Sequence, residues 1–371
     1  MEIKKGKRIV FFTRELNNVM GGLEKQILLI ATSLINLGHS VTIISLDEKL
    51  PDIFYSQFTK GIEFRNIKSG TPSVTLNTIQ RLKRQFLVYT DIKQFKYEIG
   101  VSFMTGAYWY SRIPTLFCRT PLILAERNAP SIYTLTRVKK IRYFIFLSMI
   151  FASAITVQFS RYKNQYPFFL KNKIRAIPNS VEPIILSRLA RASKIKYVFA
   201  GRFSYQKQPM LLLKAFLSFA ASKDDVELVM YGRGDLEIPI KKFITETKSS
   251  SLIKVLQPKT HPEEFLKDAD VLCIPSIWEG FPNVLAEALS SGVPALGFRN
   301  CDGVADLIVD GVNGWTSNND GTIEPLVKLL ERSYVDLKAD IISSKNCQKS
   351  VEIFRNDLIA KSWEELIDSL V

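Results

Sequence analysis

Residues 270–298 read D-V-L-C-I-P-S-I-W-E-G-F-P-N-V-L-A-E-A-L-S-S-G-V-P-A-L-G-F, with a strand-like run at each end and a helical run between them. Pro282 suits the first turn of that helix, because its fixed φ is pre-organised and its missing N–H is not needed there. Gly292 suits the end of the helix. The stretch therefore predicts a strand, a loop, a helix and a second strand of an α/β sheet.

The same alternation of strand-like and helical patterns extends along most of the chain. Six apolar runs come before residue 179: R-I-V-F-F, S-V-T-I-I-S-L, I-G-V-S-F, P-L-I-L-A, A-I-T-V-Q-F and I-R-A-I-P. A second series begins at I-K-Y-V-F-A-G and continues through V-E-L-V-M-Y-G and L-I-K-V-L. We predict two parallel sheets covered by helices, a linker near residues 182–194, and helix from about 338 to 370.

Length and composition are typical of a folded protein with two domains. The chain has 371 residues, of which 46% are hydrophobic and 23% charged, so that burial can offset chain entropy. Four cysteines lie far apart without a C-x-x-C pair, which argues against a zinc ribbon or a disulfide scaffold and favours a reducing compartment. The N-terminal residues lack the apolar stretch of an export signal, so we expect a cytoplasmic protein.

The positive charge is concentrated in the first half of the chain. Residues 1–190 contain 28 Lys and Arg and 11 Asp and Glu, a net +17, whereas residues 191–371 contain 22 and 25, a net −3. A basic half favours an anionic partner, such as nucleic acid, polyphosphate or the anionic leaflet of a membrane, although ordinary surface lysines are an alternative. Residues 78–96 form a candidate basic amphipathic helix for such a membrane, or an ordinary surface helix.

One apolar segment, residues 143–159, is nearly long enough to span a bilayer. Its polar residues Ser148, Ser153, Thr156 and Gln158 interrupt it. We predict a helix followed by a short buried strand from Ala154 instead of a membrane span.

Two glutamates eight positions apart, Glu279 and Glu287, are the first candidate ligand-binding residues. On a single helix they would be roughly 12 Å apart, beyond the roughly 5–9.5 Å that separates the carboxyl pair of a glycosidase. Glu287 is predicted to be helical, and Glu279 to lie just before the helix. The pair is therefore better suited to the two ends of one long polar ligand than to hydrolysis.

Cations follow the first strand of the second series, in G-R-F-S-Y-Q-K at residues 201–207. Ligands of open α/β sheets bind at the carboxyl ends of the strands, so Arg202 and Lys207 are placed to bind a diphosphate. Near the N-terminus, Met20-Gly21-Gly22 forms a glycine-rich strand-to-helix turn at which phosphate could meet backbone N–H groups.

Three other patterns favour structural roles. Asp268 and Asp270 form a D-x-D that precedes a strand and is explained by capping and solvation, so we predict no metal site. Residues 231–234, Y-G-R-G, lack the third glycine of a dinucleotide fingerprint and favour a tight turn. His39 and His261 lie in connecting segments, without a nucleophile motif.

Together, G-G-x-E at 21–24, G-R-x-x-x-x-K at 201–207, P-S-x-x-E-G-F-P at 275–282 and the glutamate pair resemble the retaining glycosyltransferases of family four, over nearly the whole chain. The resemblance implies the GT-B fold, in which two Rossmann-like, doubly wound parallel-sheet domains face each other across a cleft and helices end the chain. It implies an acceptor-binding domain at 1–185, a nucleotide-sugar-binding domain at 186–350, and a C-terminal helix at 351–371 that could cross back to the first domain. It also implies that no metal or other cofactor is needed.

The resemblance assigns a role to each motif. Arg202 and Lys207 would hold the diphosphate, Glu279 the donor sugar and Glu287 the ribose hydroxyls. The implied donor site comprises Gly22, Gly201, Arg202, Lys207, Glu279, Gly280, Phe281, Pro282, Asn283, Val284 and Glu287.

The implied catalytic group is Glu279, Arg202, Lys207 and Arg127. Arg127 stands in A-E-R-N-A-P where many members of the family have a histidine. An arginine cannot act as a neutral base, so the donor phosphate would accept the proton while Arg127 orients a hydroxyl or phosphate.

The expected activity is a retaining transfer of a hexose or N-acetylhexosamine. The donor would be a nucleotide-diphosphate sugar, with UDP expected from the family, and the acceptor a lipid-linked or growing glycan in surface polysaccharide or glycoconjugate synthesis. The basic first half favours a lipid-diphosphate acceptor at the inner face of the plasma membrane. A GT-B sugar-nucleotide 2-epimerase is one alternative, and a basic nucleic-acid-binding protein, which leaves the glutamate pair unexplained, is another.

Overall fold

The chain forms two compact units. A computed structural model describes residues 6–17, 21–47, 52–53, 55–67, 76–186 and 194–371. The first unit comprises Met1–Ser180 and Asn356–Val371, and the second comprises Val181–Arg355. These boundaries each lie five residues from those expected at 185/186 and 350/351. The expected linker at 182–194 lies partly outside the described residues.

The first unit contains a seven-stranded parallel sheet. Its strands are β1 (Arg8–Phe12), β2 (Ser40–Ser45), β3 (Glu63–Asn66), β4 (Ile99–Phe103), β5 (Leu122–Ala125), β6 (Ala154–Val157) and β7 (Ile174–Ala176). Their order across the sheet is β3-β2-β1-β4-β5-β6-β7, with Val10 of β1 opposite Thr42 and Gly100. Six of the strands were predicted. The edge strand β3 was missed because E-F-R-N contains one apolar residue.

The second unit contains a six-stranded parallel sheet. Its strands are β8 (Ile195–Ala200), β9 (Val226–Tyr231), β10 (Ile253–Leu256), β11 (Val271–Ile274), β12 (Ala295–Phe298) and β13 (Gly314–Ser317). The order is β10-β9-β8-β11-β12-β13, so the direction of winding reverses between β8 and β11. The carboxyl ends of the strands at such a reversal form the ligand-binding crevice of doubly wound sheets. The edge strand β13 was not predicted.

Helices cover both sheets. They are α1 (Gly22–Asn36), α2 (Thr78–Phe95), α3 (Met104–Phe117), α4 (Ile132–Leu135), α5 (Arg142–Ser148), α6 (Pro209–Ala220), α7 (Glu237–Glu246), α8 (Glu263–Leu266), α9 (Asn283–Ser290), α10 (Asp302–Leu307), α11 (Glu324–Lys338), α12 (Ser344–Val351) and α13 (Asn356–Asp368). Short 3-10 helices lie at Ser56–Phe58, Arg137–Ile141, Met149–Phe151, Ser160–Gln165, Phe168–Lys173 and Glu352–Phe354.

Two helical predictions need correction at their ends. Pro282 is the residue before α9, with extended backbone at φ −74° and ψ 91°, and does not lie within the first turn. Gly292 follows the helix with φ +79°, as its predicted role requires. The helix expected from about 338 to 370 is interrupted, because α12 and α13 are separated by the 3-10 turn at Glu352–Phe354.

The first sheet is buried on both faces. Val10 and Phe12 lie in one core cluster, and Ile9 and Phe11 lie in another, because successive side chains of a strand point to opposite faces. The second of these clusters includes Trp363 of α13, so the C-terminal helix completes the core of the first unit. Burial on both faces explains why β1 reads as a continuous apolar run.

The apolar segment at 143–159 divides as predicted. Most of α5 and the 3-10 turn at Met149–Phe151 come first, and the buried strand β6 follows from Ala154. Within the described parts of the chain, no helix combines the length and the low polarity that crossing a bilayer would require.

Candidate active site

Two loops of the second unit meet where the sheet reverses its winding. The loop after β8 contains Gln206, and the loop after β11 contains Ile277 and Trp278. The Ile277 backbone N–H donates to the Gln206 carbonyl at 2.9 Å, and the Gln206 side-chain amide donates to the Trp278 carbonyl at 2.7 Å. These bonds fix the loops to each other and bring the two predicted motifs, at 201–207 and 275–282, to one place.

An ion pair between a buried carboxylate and a half-buried lysine lies between these loops. Glu279 is 6% exposed, and its Oε1 accepts hydrogen bonds from Lys207 Nζ at 2.5 Å and from Ser276 Oγ at 2.7 Å. A charge-assisted bond and a hydroxyl bond on one oxygen compensate for burying the carboxylate. The cation and the acid that were predicted to hold different parts of the donor therefore contact each other directly.

A thiol lies close to this pair. Burial raises the pKa of the Cys301 thiol, and the Glu279 carboxylate raises it further. The thiol therefore stays protonated at neutral pH and is a poor nucleophile. All four cysteines are free, as expected from their spacing.

The loop at 279–282 packs tightly against α10 through Gly303. The Gly303 N–H donates to the Glu279 carbonyl at 3.1 Å. A Cβ atom added at Gly303 would lie 2.8 Å from Pro282 Cδ and 2.9 Å from the carbonyl oxygens of Glu279 and Gly280. Only glycine allows this approach, so Gly303 sets the position of the Glu279 loop.

Helix α9 presents the second glutamate. Glu287 is half-buried and lies one helical turn after Asn283, so that both side chains are on the same face. The start of α9 is anchored by Phe281, whose buried ring packs edge-on against Phe354 at 5.4 Å between centroids. The first turn of a helix directs N–H groups outward, which suits an anion.

The loops after β8 and β9 are packed backbone to backbone. The Gly201 N–H donates to the Tyr231 carbonyl at 3.0 Å, and the Phe203 N–H donates to the Arg233 carbonyl at 2.8 Å. A Cβ atom at Gly232 would lie 2.2 Å from the Gly201 carbonyl oxygen. The Y-G-R-G segment is therefore a tight turn that supports the Arg202 loop, and Arg202 itself is exposed.

Gly22, the predicted phosphate contact of the first unit, is the first residue of α1. The carboxylate of Glu24 lies over the preceding residue, since a Cβ atom at Gly21 would be 1.9 Å from its Oε2. An acidic side chain in the first turn stabilises a helix through its dipole. Met20 of the predicted turn lies outside the described residues.

Arg127 lies inside the first unit and is 8% exposed. Its guanidinium donates to the Ile177 carbonyl and to Thr156 Oγ1, both at 2.8 Å, and to Gln158 Oε1 at 3.1 Å. It also lies over the ring of Trp363, 5.2 Å from the centroid. These contacts hold the carboxyl ends of β5, β6 and β7 together and join them to α13.

Burial changes the acid–base properties of this region. It lowers the pKa of Arg127 to about 9, which still leaves the side chain charged at neutral pH. The adjacent Glu126 is also buried, and burial raises the pKa of its carboxyl group although Tyr133 and Tyr166 donate hydrogen bonds to it. Arg127 is thus placed to position the loop after β5.

The D-x-D motif lies at the amino ends of the strands of the second sheet, opposite the carboxyl ends that carry the two loops. Asp270 precedes β11 and accepts from the Lys196 N–H at 2.8 Å, and Asp268 lies 3.7 Å from Lys196 Nζ. In the described residues, no group of three or more His, Cys, Asp or Glu side chains is arranged to hold a metal ion.

Residues 184–345 match the family model described as glycosyl transferases group 1. Over this stretch, the chain is similar to the group 1 glycosyltransferases. An uncharacterized glycosyltransferase of Methanocaldococcus jannaschii is 26% identical to it over 277 residues, 66% of either chain. A Campylobacter jejuni enzyme, named as an undecaprenol-diphosphate-linked glycan α-1,4-N-acetyl-D-galactosaminyltransferase, is 25% identical over 376 residues, 97% of this chain and 98% of that one.

The chain also resembles solved structures over nearly its whole length. Anabaena HepE, solved in complex with UDP and glucose, superposes with a TM-score of 0.80 at 17% identity, covering 98% of this chain and 100% of that chain. Such a likeness shows a shared fold. The predicted GT-B fold is confirmed by two parallel-sheet units with this resemblance.

Most predicted site residues lie together in the second unit, whereas Gly22 and Arg127 belong to the first. Sequence reasoning missed three supporting residues: Ser276, Gln206 and Gly303. Ser276 and Gln206 stand inside the motifs at 275–282 and 201–207, so their positions were visible. Ser276 bonds to Glu279 in its own loop, whereas the bond of Gln206 to Trp278 joins two loops that are 72 residues apart in sequence. Gly303 gave no signal, since it lies in an ordinary helical run.

Proposed function

We propose that this glycosyltransferase moves a hexose or N-acetylhexosamine, with retention, from a UDP-sugar to a lipid-linked or growing glycan. The observation that carries this proposal is the contact of Lys207 with Glu279 beside the exposed Arg202, at the carboxyl ends of β8 and β11. A cation pair and a buried carboxylate at a sheet crevice match the diphosphate and hydroxyl groups of a sugar nucleotide.

Each residue has a defined task in this proposal. Arg202 and Lys207 stabilise the negative charge that grows on the diphosphate as the glycosidic bond breaks. Glu279 accepts a hydrogen bond from a donor-sugar hydroxyl, and Glu287 accepts from the ribose hydroxyls. Since Lys207 Nζ already contacts Glu279, one side chain bridges the diphosphate and the sugar end of the donor.

The proton of the acceptor hydroxyl passes to an oxygen of the leaving diphosphate, on the same face as the bond that breaks. Attack from that face retains the configuration at the anomeric carbon. Arg127 acts through the loop after β5, because its guanidinium is occupied by Thr156, Gln158 and Ile177. The charge of Arg202 and Lys207 takes the part that a divalent metal plays in other transferases, so we propose a metal-independent reaction.

The acceptor is proposed to be a lipid diphosphate-linked glycan. The Campylobacter jejuni relative is named for an undecaprenol-diphosphate-linked substrate, and it matches nearly all of this chain. The net +17 of residues 1–190 suits an anionic acceptor of this class. The enzyme would then work in the cytoplasm, at the inner face of the plasma membrane.

Thermal shift with UDP, GDP and a panel of UDP-sugars tests the donor site. A ligand that binds only the folded state raises Tm by mass action, and at 100 times its Kd it adds about 2.7 kcal/mol. We expect UDP and one UDP-sugar to raise Tm, and Glu287→Ala to abolish the rise. Glu331→Ala, which removes an exposed glutamate elsewhere in the second unit, is the control.

Two results would contradict the proposal. An undiminished shift in Glu287→Ala would remove the assigned ribose contact. Conversion of the UDP-sugar in the absence of any acceptor would identify a 2-epimerase in place of a transferase.

A further inference from the structure

The helical run at 142–151, formed by α5 and the following 3-10 turn, is apolar on both sides. Ile145, Phe146 and Met149 are buried in the core of the first unit. On the other side Tyr143, Phe144, Leu147, Ile150 and Phe151 are 43–65% exposed. These five residues recur at spacings of three and four and so form one continuous face, called here the outer face. A helix that is apolar all round is normally covered on all sides.

Aromatic packing holds the outer face in a fixed conformation. Trp109 of α3 stacks on Phe144 with 5.4 Å between ring centroids. The Arg112 guanidinium lies over the other ring of this stack, 4.1 Å from the Trp109 centroid. At the far end, Lys173 Nζ donates to the carbonyls of Ile150 and Ala152 at 2.6 and 2.8 Å. Contacts at both ends therefore hold the helical run at 142–151, which carries the exposed apolar side chains, in place.

The charged residues in the part of the sequence that contains the outer face are all basic. Residues 127–181 contain ten Lys and Arg and no Asp or Glu. Arg137, Lys139 and Lys140 are exposed in the turn that leads into α5. A partner for this surface must accept apolar side chains and supply negative charge next to them.

We propose that the outer face docks onto an anionic lipid bilayer. Phe144, Leu147 and Phe151 enter the boundary between headgroups and acyl chains, and Arg137, Lys139 and Lys140 contact the lipid phosphates. An amphipathic element binds membranes through this combination of apolar burial and basic charge, at about 1 kcal/mol for each basic residue near an anionic surface. The inference deepens the proposed function, because a lipid-linked acceptor resides in a bilayer.

A second copy of the chain fits this surface less well. Association through the outer face would bring two acid-free, basic surfaces together, and like charges across an interface oppose binding. Helix α2, the candidate from sequence, also exposes Ile79, Leu82 and Phe86. It has one aromatic residue on that side and carries Asp91, which makes the outer face the stronger candidate.

Vesicle co-sedimentation tests the proposal with the full chain and without donor or acceptor. We expect binding to phosphatidylcholine vesicles containing phosphatidylglycerol, weaker binding to pure phosphatidylcholine, and loss of the difference at high salt. The triple variant Phe144→Ser, Leu147→Ser, Phe151→Ser should lower the partition coefficient at least about tenfold. The matched control Ile238→Ser, Val335→Ser, Ile341→Ser changes equally exposed residues of the second unit and should bind as the parent does.

Two charge-reversal variants test the electrostatic contribution to vesicle binding. Lys139→Glu with Lys140→Glu should abolish the preference for phosphatidylglycerol, whereas Lys345→Glu with Lys349→Glu, two exposed lysines on α12, should leave it. Equal loss in both pairs, or vesicle binding that the outer-face triple does not reduce, would overturn the proposal. So would a dimer in size-exclusion chromatography that the triple converts to monomer.

The rise in Tm on addition of UDP reports on the donor site, and vesicle co-sedimentation reports on the docking surface, so the two proposals are tested separately. The outer-face triple should retain the rise, which also shows that the variant is folded. If the rise is present and vesicle binding is absent in the parent, the docking surface is wrong and the proposed reaction stands. If vesicles bind and no nucleotide raises Tm, the proposed reaction is wrong and the docking surface stands.

Discussion

Lys207 and Arg127 are both cations that follow a sheet strand at its carboxyl end, and the structure gives them different surroundings. Lys207 is partly exposed and has a carboxylate as its partner at 2.5 Å. Arg127 is buried, and neutral carbonyl, hydroxyl and amide oxygens surround its guanidinium. The difference distinguishes a cation that can serve a ligand from one that holds three strands together.

The physical reason lies in what each cation would lose. A lysine paired with a carboxylate near solvent can move to a phosphate with little change in desolvation. A buried guanidinium has given up its water and depends on fixed dipoles, which no incoming ligand replaces. Under the proposed function, Lys207 would therefore contact the ligand, whereas Arg127 would act by holding the loop after β5.

The largest expected effect is on catalysis at the second sheet. Lys207→Ala should lower kcat/KM by about 10² to 10³, the loss typical of removing one charge-stabilising group. The fall in Tm should be the smaller effect, because the buried Glu279 carboxylate loses its cation but keeps the hydrogen bond from Ser276. Steady-state kinetics and a thermal melt, with Lys214→Ala on the exposed side of α6 as control, check this. A large fall in Tm with kcat/KM retained would assign Lys207 to the fold.

Arg127 should show the reverse pattern. Arg127→Ala leaves the acceptors at Thr156, Gln158 and Ile177 unpaired and should lower the free energy of unfolding by about 3 kcal/mol, measured by urea denaturation. Arg202→Ala, at an exposed cation, should leave that free energy unchanged and lower kcat/KM by about tenfold or more. Unchanged turnover in both Arg127→Ala and Arg127→His would end any role for Arg127 in the reaction.

A smaller effect should follow from displacing the Glu279 loop without changing its chemistry. Gly303→Ala places a Cβ atom within 2.9 Å of two carbonyl oxygens and should cost about 1–3 kcal/mol, divided between stability and donor binding. We expect a raised KM for the donor. Ala305→Ser, two residues further along α10, adds one atom at a half-exposed position and should leave KM unchanged.

The smallest effect concerns pH and the buried acid of the first sheet. Because burial raises the pKa of Glu126 above its ordinary 4.5, the folded chain binds a proton more tightly than the unfolded chain. Stability should therefore fall as pH rises above 4.5 through the folded pKa, by at most about 1.4 kcal/mol per pH unit. Glu126→Gln should make this decline shallower in urea titrations from pH 4 to 8, and an unchanged slope would contradict the assignment.

Most of the fold could be predicted because buried parallel strands leave a strong signal. The runs R-I-V-F-F and V-L-C-I are continuous and apolar, since both faces of each strand are covered. The strands β3 and β13 lie at sheet edges and read E-F-R-N and G-W-T-S, without such a run. Gly314 is needed in β13 because a Cβ atom there would lie 2.0 Å from the Ala295 carbonyl, a constraint that no local pattern reveals.

The candidate site was visible in part for a similar reason. Arg202, Lys207, Glu279 and Glu287 follow strands or begin a helix in short, motif-like stretches, so their neighbourhood could be inferred from local order along the chain. The bond of Gln206 to Trp278 joins two loops that are distant in sequence. Gly303, which donates to the Glu279 carbonyl, lies in a helix that has no motif of its own. Such contacts depend on how β8, β11 and α10 are arranged in space.

The order of amino acids was sufficient to specify two wound sheets, the loops that carry the charges and the basic character of the first half, because periodicity and charge are local properties. Packing of the folded chain decided that Lys207 contacts Glu279, that Arg127 is buried against the ring of Trp363, and that the outer face of 142–151 stays exposed. Burial is set by residues far apart in the chain. The free energy of a charge or an apolar side chain depends on that burial, and so the role of each residue does as well.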